Sequence, residues 1–229
     1  MSLHVFAIVR RSLRRVSLGR VNGVSLRAVN AGAIAAIVAD VDGAPVLSLR
    51  ALRSHDQVVR RIARLAPAVL PVRFGTVVDS ERAVVLLLTT WSADLRKALA
   101  LVDRHQQMTL RLFAPDGGAA RPLPPAAPDE SGPRPGTRYL KRRQEAARAA
   151  QSAPELDPLR EALAPIAAAE RVVRHDRGPL ILTAYHLIPR GAETAYRRAL
   201  RRHTTALPHR TVWSGPWPPY AFAPELKAR

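Results

Sequence analysis

Apolar and polar positions in the first 114 residues repeat with the periods of strands and helices. Short β-rich apolar stretches predict strands at residues 3–10, 24–29, 33–39 and 69–74. Between the last two strands, Ser54 and Gln57 have the spacing of a capping box, and apolar residues at helical spacing follow them. The pattern therefore predicts a helix that begins near Ser54 and ends before Pro67.

The rest of this region predicts two further helices and a closing strand. Asp79 or Ser80 can cap a helix that runs to residue 88, and another helix is predicted over residues 93–103. Alternating apolar residues predict a last strand at residues 107–113. This order favours an α+β sandwich in which helices cover one face of a mainly antiparallel sheet.

A segment rich in Pro and Gly divides the chain. Residues 115–136 contain seven prolines and four glycines in 22 positions, a composition that disfavours both helix and strand. We interpret it as a linker between domains at residues 1–114 and 137–229, with a disordered insertion in a single domain as the alternative.

The region after the linker also mixes helices and strands, which predicts a second α+β domain. Helices are predicted at residues 138–150, 156–169 and 193–207, and strands at residues 171–175, 180–188 and 210–214.

The charge is high but evenly spread. Lys and Arg number 36 against 18 Asp and Glu, a formal charge of +18, of which residues 1–114 carry +10 and the remainder +8. A diffuse excess is weaker evidence for polyanion binding than a concentrated patch. The best local candidate is the helix at residues 193–207, which contains four arginines but no aromatic residues interleaved with them.

The sequence lacks the patterns of several chemistries. It has no cysteine, no H-E-x-x-H pair, no G-x-S-x-G elbow and no phosphate-binding loop. Its seven histidines are scattered, and we interpret them as structural or exposed. We therefore predict a protein that is not an enzyme, with no cofactor and no metal site. No apolar run is long enough to cross a bilayer, which predicts a soluble cytoplasmic protein.

The run LPVRFGT at residues 70–76 places an arginine in an otherwise apolar strand. A bare buried guanidinium is very costly, so Arg73 must pair with an acidic or carbonyl group or reach the surface. An ion pair inside the domain is one interpretation. The other is an interface anchor formed by Arg73 and Phe74.

The run GPWPPYAF at residues 215–222 presents three aromatic side chains on a proline-stiffened chain. Trp217, Tyr220 and Phe222 lose little conformational freedom on binding, which suits anchors at a protein interface. Packing between the two domains is the alternative.

In these two runs the chain resembles the gas vesicle protein F/L family (GvpL/GvpF). Weaker parts of the resemblance are the strand HVFAIV at residues 4–9, a small-residue strand ending at Asp40, the helix start at His55 and the run YLKRR at residues 139–143. The matched segments extend over nearly the whole chain. One departure is the run HQQ at residues 105–107, where the family commonly has an acid.

The resemblance implies two α+β domains, the first of them ferredoxin-like. It implies an accessory protein, associated with gas vesicles in the cytoplasm, that binds the shell subunit and other accessory proteins during vesicle formation. The alternative function is a basic module that binds nucleic acid. The family is usually less basic than this chain, whose charge would steer it toward an acidic partner.

Overall fold

The structure, a computed structural model, describes residues 2–10, 18–115, 153–175, 177–204 and 207–226. The chain forms two compact units. The first comprises Met1–Gln107 and Pro216–Arg229, and the second comprises Met108–Gly215. Both units combine helices with β-sheet, so the predicted mixture of helix and strand is confirmed.

The main sheet of the first unit has the strand order β4-β5-β1-β6, with β7 also paired to β1. Strand β1 pairs antiparallel with β5, β6 and β7, and a bulge lies between Val5 and Ala7. The strands are β1 Ser2–Arg10, β2 Arg20–Val21, β3 Val24–Ser25, β4 Arg27–Ala31, β5 Ile34–Val41, β6 Val69–Pro71 and β7 Val77–Val78. The helices are α1 Leu49–Leu65, α2 Glu81–Thr90 and α3 Ser92–Leu101.

Helices cover both faces of this sheet, so the prediction of one covered face is wrong. In β5, Ala35, Ile37 and Ala39 pack in one cluster with helix α1. The intervening Ile34 and Val38 are equally buried but point to the opposite face, and helix α2 packs on β4 and β5. The physical reason is that the central strands are continuously apolar, and a strand of this kind must be covered twice.

Helix α1 begins at Leu49, five residues before the predicted start. The Oγ of Ser48 accepts a hydrogen bond from the N–H of Ala51 at 3.1 Å, so Ser48 is the N-cap and Ser54 lies inside the helix. In helix α2 the prediction holds, because Ser80 caps the N–H of Ala83.

The sheet of the second unit has the strand order β11-β8-β10-β9. Its elements are β8 His105–Phe113, α4 Asp157–Leu163, β9 Ala169–Arg174, β10 Leu180–Pro189, α5 Glu193–His203 and β11 Arg210–Trp217. Among the described residues this is a β-α-β-β-α-β order with the first strand in the middle of the sheet, which is the ferredoxin-like arrangement. The arrangement predicted for the N-terminal domain is therefore found in the second unit.

The compact units differ from the predicted domain ranges at two places. Strand β8, expected to close the first domain, belongs to the second sheet, where Met108, Leu110 and Leu112 pack in the core of that unit. The C-terminal segment Pro216–Arg229 belongs to the first unit instead of the second. The predicted linker after residue 115 and the predicted helix at residues 138–150 lie outside the described residues.

Candidate interaction site

The LPVRFGT segment leaves strand β6 at Pro71 and turns sharply over residues 73–76. The N–H and Oγ1 of Thr76 donate to the carbonyl oxygen of Arg73 at 3.2 and 2.8 Å. Gly75 has a φ of 80°, a left-handed conformation that glycine adopts without steric cost. The turn exposes Arg73, whose guanidinium forms no hydrogen bond or ion pair with any described residue. The ion pair considered for Arg73 is thus not formed within this part of the chain.

The GPWPPYAF segment packs within the first unit after Gly215. Pro218, Pro219 and Phe222 are buried, whereas Tyr220 is 38% exposed. The N–H of Ala221 donates to Oε1 of Gln107 at 2.8 Å. Of the three predicted aromatic anchors, Phe222 is therefore buried, Trp217 is partly buried, and Tyr220 is the most exposed.

Helix α1 holds this C-terminal segment through two polar side chains. The hydroxyl of Tyr220 donates to Oδ1 of Asp56 at 3.0 Å, and Nε of Arg60 donates to Oδ2 of the same carboxylate at 2.5 Å. The Arg60 guanidinium lies over the Trp217 ring at 4.3 Å from its centroid. Partial burial of its hydroxyl, together with the Asp56 charge, raises the pKa of Tyr220, so the phenol stays neutral and keeps donating.

The two motif segments line one groove in the first unit. Its volume is about 340 Å³. The lining residues are Ile8, Leu70, Pro71, Val72, Arg73, Thr76, Leu95, Tyr220, Ala223, Pro224, Glu225 and Leu226. Segments almost 150 residues apart in the sequence thus form one mostly apolar depression, with Arg73 and Tyr220 among its exposed residues.

The Asp56→Ala variant is expected to lower the free energy of unfolding of the first unit by about 1–2 kcal/mol, because Tyr220 loses its acceptor and Arg60 its partner. Tyr220→Phe removes only one bond and should cost less than about 1 kcal/mol. Urea denaturation measures both effects. Asp42→Ala is the control, because Asp42 is exposed and has no ion pair among the described residues. An Asp56 variant as stable as this control would contradict the expectation.

Four rings meet between strand β1, helix α1 and the turn at residues 73–76. His4 stacks on His55 at 5.2 Å between ring centroids, and Phe6 stacks on His55 at 5.0 Å. Phe74 meets both imidazoles edge-on, at 5.8 and 5.6 Å. The predicted anchor Phe74 is therefore part of this histidine cluster, which comprises His4, Phe6, His55 and Phe74.

Both imidazoles of the histidine cluster are more than nine-tenths buried. Burial and the neighbouring His55 lower the pKa of His4 to about 4. Burial also lowers the pKa of His55, against the opposing effects of its bond to Val72 and of the Asp56 charge. Both rings are thus neutral near pH 7. The sequence analysis interpreted both residues as scattered histidines. The available signal was that each of them interrupts an otherwise apolar face of its strand or helix.

The histidine cluster borders a second, smaller cavity of about 100 Å³. The exposed residues Asn22 and Val24 also line it, so the cavity opens on the surface. Nε2 of His4 and Nδ1 of His55 are buried and have no hydrogen-bond partner. We call this space the histidine cavity. Apart from the two histidines, most of its lining is apolar.

Large apolar side chains stand exposed immediately beside the histidine cavity. Val46, Leu47 and Leu49 are 84%, 73% and 73% exposed, and Leu52 is 38% exposed. Pro45, directly before these residues, and Ala51, which lies between Leu49 and Leu52, both line the cavity. We call these four exposed side chains the apolar ridge. Single exposed apolar residues are ordinary, but four within seven positions form a patch of the kind that marks interaction surfaces.

The second unit contains a polar network of four side chains, of which His186 and Tyr196 are buried and Arg160 and Glu170 are partly buried. The Tyr196 hydroxyl donates to Nδ1 of His186 at 2.7 Å, and Nε2 of His186 donates to Glu170 at 3.1 Å. Arg160 donates to the other Glu170 oxygen through Nε and Nη2 at 2.9 and 2.8 Å. Tyr196 is completely buried. The groups satisfy one another, which is typical of a network that stabilises a core.

The basic helix α5 lies in the second unit with Tyr196 and Leu200 on its buried side. Arg197 donates to the carbonyl oxygen of Gly215 at 3.1 Å, while Arg198 and Arg201 are exposed. In the residues described, no group of three or more His, Asp or Glu side chains could hold a metal ion. No helix there is long and apolar enough to cross a membrane.

Comparison with solved structures shows the same fold in two gas vesicle proteins. The crystal structure of GvpF from Anabaena sp. PCC7120 matches with a TM-score of 0.69 and 17% sequence identity, covering 98% of each chain. The crystal structure of GvpF from Microcystis aeruginosa matches with a TM-score of 0.71 and 15% identity, covering 98% of this chain and 99% of that one.

The family assignment comes from the sequence itself. No curated protein matches the chain. The family described as "Gas vesicle synthesis protein GvpL/GvpF" matches residues 2–224, which is nearly the whole length. The chain therefore belongs to the GvpL/GvpF family of gas vesicle synthesis proteins.

Proposed function

We propose that this protein is a non-enzymatic accessory protein that binds the gas vesicle shell subunit, and other accessory proteins, while vesicles form in the cytoplasm. Membership of the GvpL/GvpF family gives it a role related to gas vesicles. The observation that carries the finer proposal is the apolar ridge, where Val46, Leu47 and Leu49 are each more than 70% exposed. A soluble protein rarely leaves such side chains in water unless they contact a partner.

The chemistry of the proposed partner fits the apolar ridge. A shell subunit with a strongly apolar face aggregates before assembly unless another surface covers that face. Each buried apolar Å² contributes about 25 cal/mol, so three exposed side chains of this size supply a few kcal/mol on docking. The ridge is part of the first unit, on residues that immediately precede and begin helix α1.

The groove between the two motif segments is the proposed contact for other accessory proteins. Arg73 and Tyr220 are exposed there and are available to a partner. The other three predicted anchors make contacts within the first unit instead: Phe74 in the histidine cluster, Trp217 with Arg60, and Phe222 in the buried C-terminal segment.

The triple variant Val46→Ser/Leu47→Ser/Leu49→Ser is expected to weaken co-purification of the shell subunit at least about tenfold, because it removes the apolar contact area. The matched control is Leu86→Ser, which changes a leucine that is 67% exposed on helix α2 of the same unit. Deletion of the gene should prevent vesicle formation. Normal vesicles in the deletion strain, or unchanged capture by the triple variant, would refute the proposal.

Nucleic-acid binding through helix α5 is the weaker alternative. The one aromatic residue of this helix, Tyr196, is completely buried and cannot stack on a base. A nucleic-acid module would bind DNA or RNA with an affinity that falls steeply with salt.

A further inference from the structure

We propose that the exposed side of helix α1 binds an acidic amphipathic helix of the shell subunit, which lies along α1 with apolar residues at one end packed on the apolar ridge. This inference rests on the proposed binding of the shell subunit at the ridge. It adds the secondary structure and the charge of the segment that binds there.

Helix α1 is strongly basic. Its 17 residues contain five arginines and a single acidic residue, Asp56. Asp56 is paired with Arg60, and Arg61 donates to the carbonyl oxygens of Leu18 and Arg20. The other three arginines are exposed and form no hydrogen bond or ion pair with any described residue; they are Arg50, Arg53 and Arg64. Their charges are therefore available to a partner.

These three arginines lie in one row on the exposed side of the helix. Arg53 follows Arg50 by three residues, Gln57 follows by four more, and the row ends another seven residues later at Arg64. Residues at these spacings share one face of an α-helix, and Gln57 is exposed as well. The row extends about 21 Å along the helix axis. We call Arg50, Arg53, Gln57 and Arg64 the basic stripe.

The basic stripe is continuous with the apolar ridge. Leu49 directly precedes Arg50, and Leu52 directly precedes Arg53, so a partner that covers the ridge also reaches the start of the stripe. A helix that lies along α1 repeats the same three- and four-residue spacing, so its carboxylates can face successive arginines. A nucleic acid could pair with the arginines, but its phosphates would not cover the exposed apolar side chains of the ridge.

The arginines at the start of α1 are unfavourable for the free helix. The partial positive charge at a helix N-terminus favours acidic side chains and disfavours basic ones. Arg50 and Arg53 lie in the first two turns, and the first turn contains no acidic residue. Like charges three residues apart on a helix also repel each other. Carboxylates of a bound partner relieve both effects, which favours an acidic partner over a neutral one.

The first test reverses the charge of the basic stripe. In Arg50→Glu/Arg53→Glu/Arg64→Glu, we expect the affinity for the purified shell subunit, held soluble on a carrier protein, to fall at least about tenfold. The matched control is Arg82→Glu/Arg96→Glu/Lys97→Glu, which changes the net charge equally at exposed positions of helices α2 and α3. The control should bind within about twofold of wild type. Thermal unfolding checks that both variants retain the fold.

The second test measures how far the partner extends along the basic stripe. Arg64→Glu changes only the end that is remote from the apolar ridge. A helix that lies along α1 contacts this end, so its affinity should fall at least about threefold. Lys97→Glu is the matched control. Unchanged affinity in Arg64→Glu would confine the contact to the ridge and overturn the helix along α1.

The remaining outcomes separate this inference from the proposed function. Unchanged affinity in the stripe variant, with loss in Val46→Ser/Leu47→Ser/Leu49→Ser, leaves the proposed function standing and overturns the acidic helix. Equal losses in the stripe variant and its control overturn it too, because overall charge then explains the effect. A short DNA duplex that wild type binds and the stripe variant does not, while both bind the shell subunit equally, assigns the stripe to nucleic acid and overturns the inference. If wild type fails to bind the shell subunit, the proposed function fails together with this inference.

Discussion

Acidification from pH 7 to about pH 4.5 is expected to destabilise the first unit, and His4 alone contributes on the order of 2 kcal/mol of that loss. The folded-state pKa of His4 lies near 4, below its ordinary value of 6.5. The unfolded chain therefore binds more protons than the folded one between these two values. Stability is fully present above about pH 6.5 and is lost as the pH falls toward 4. His55, whose pKa is also lowered by burial, acts in the same direction.

His4→Phe removes this dependence because phenylalanine does not titrate. Urea denaturation at several pH values measures the free energy of unfolding of both proteins. As the pH falls from 7 to about 4.5, His4→Phe should become more stable relative to wild type, because only the wild type loses the contribution of His4. Two nearby carboxylates also affect how the stability of wild type depends on pH. The charge of Asp56 opposes the lowering of the His55 pKa, and Asp40, which lines the histidine cavity, is paired with Arg27. His203→Gln, at an exposed position of helix α5, serves as the control. Parallel curves for wild type and His4→Phe would contradict the expectation.

Glu170→Ala is expected to cost about 3 kcal/mol in the second unit, the largest effect among the polar substitutions considered. The carboxylate accepts from His186 on one oxygen and twice from Arg160 on the other. Burial would raise the pKa of Glu170, but these hydrogen bonds and the positive charge outweigh it and hold the pKa below its usual value. The stabilisation is present above the unfolded-state pKa of 4.5 and is lost as the pH falls through the lower folded-state pKa.

Asp157→Ala is the matched control for this network. Asp157 also pairs with Arg160, at 2.8 Å, but its side chain is 63% exposed, against 24% for Glu170. Its removal should cost less than about 1 kcal/mol, because exposed ion pairs contribute little. Chemical denaturation with circular dichroism measures both variants. Equal losses of unfolding free energy in the two variants would contradict the expectation that the partly buried Glu170 contributes more than the exposed Asp157.

Local structure was largely readable from the sequence. Strands β1, β5, β8, β10 and β11 lie close to their predicted positions, because an apolar run between turn residues needs no distant contact to be recognised. The cap at Ser80 was predicted for the same reason. The start of α1 was misplaced because Ser48 and Ser54 are both acceptable N-caps, and packing beyond this local sequence decides between them.

The grouping of elements was less predictable. The apolar face of β8 fits either core, and only the strands beside it determine which sheet it joins. The C-terminal segment returns to the first unit through Tyr220, Asp56 and Gln107, contacts between positions more than 100 residues apart. No periodic pattern records such pairings.

By itself the sequence determined the class of the protein: a cysteine-free chain of mixed helix and strand with the LPVRFGT and GPWPPYAF segments of its family. The tertiary structure alone decided that these segments line one groove, that His4 and His55 stack beside a cavity, and that Val46, Leu47 and Leu49 stand exposed next to it. The physical reason is that composition and periodicity report which residues prefer burial. Which surfaces are finally covered depends on long-range packing, and the apolar residues left uncovered are the ones available to a partner.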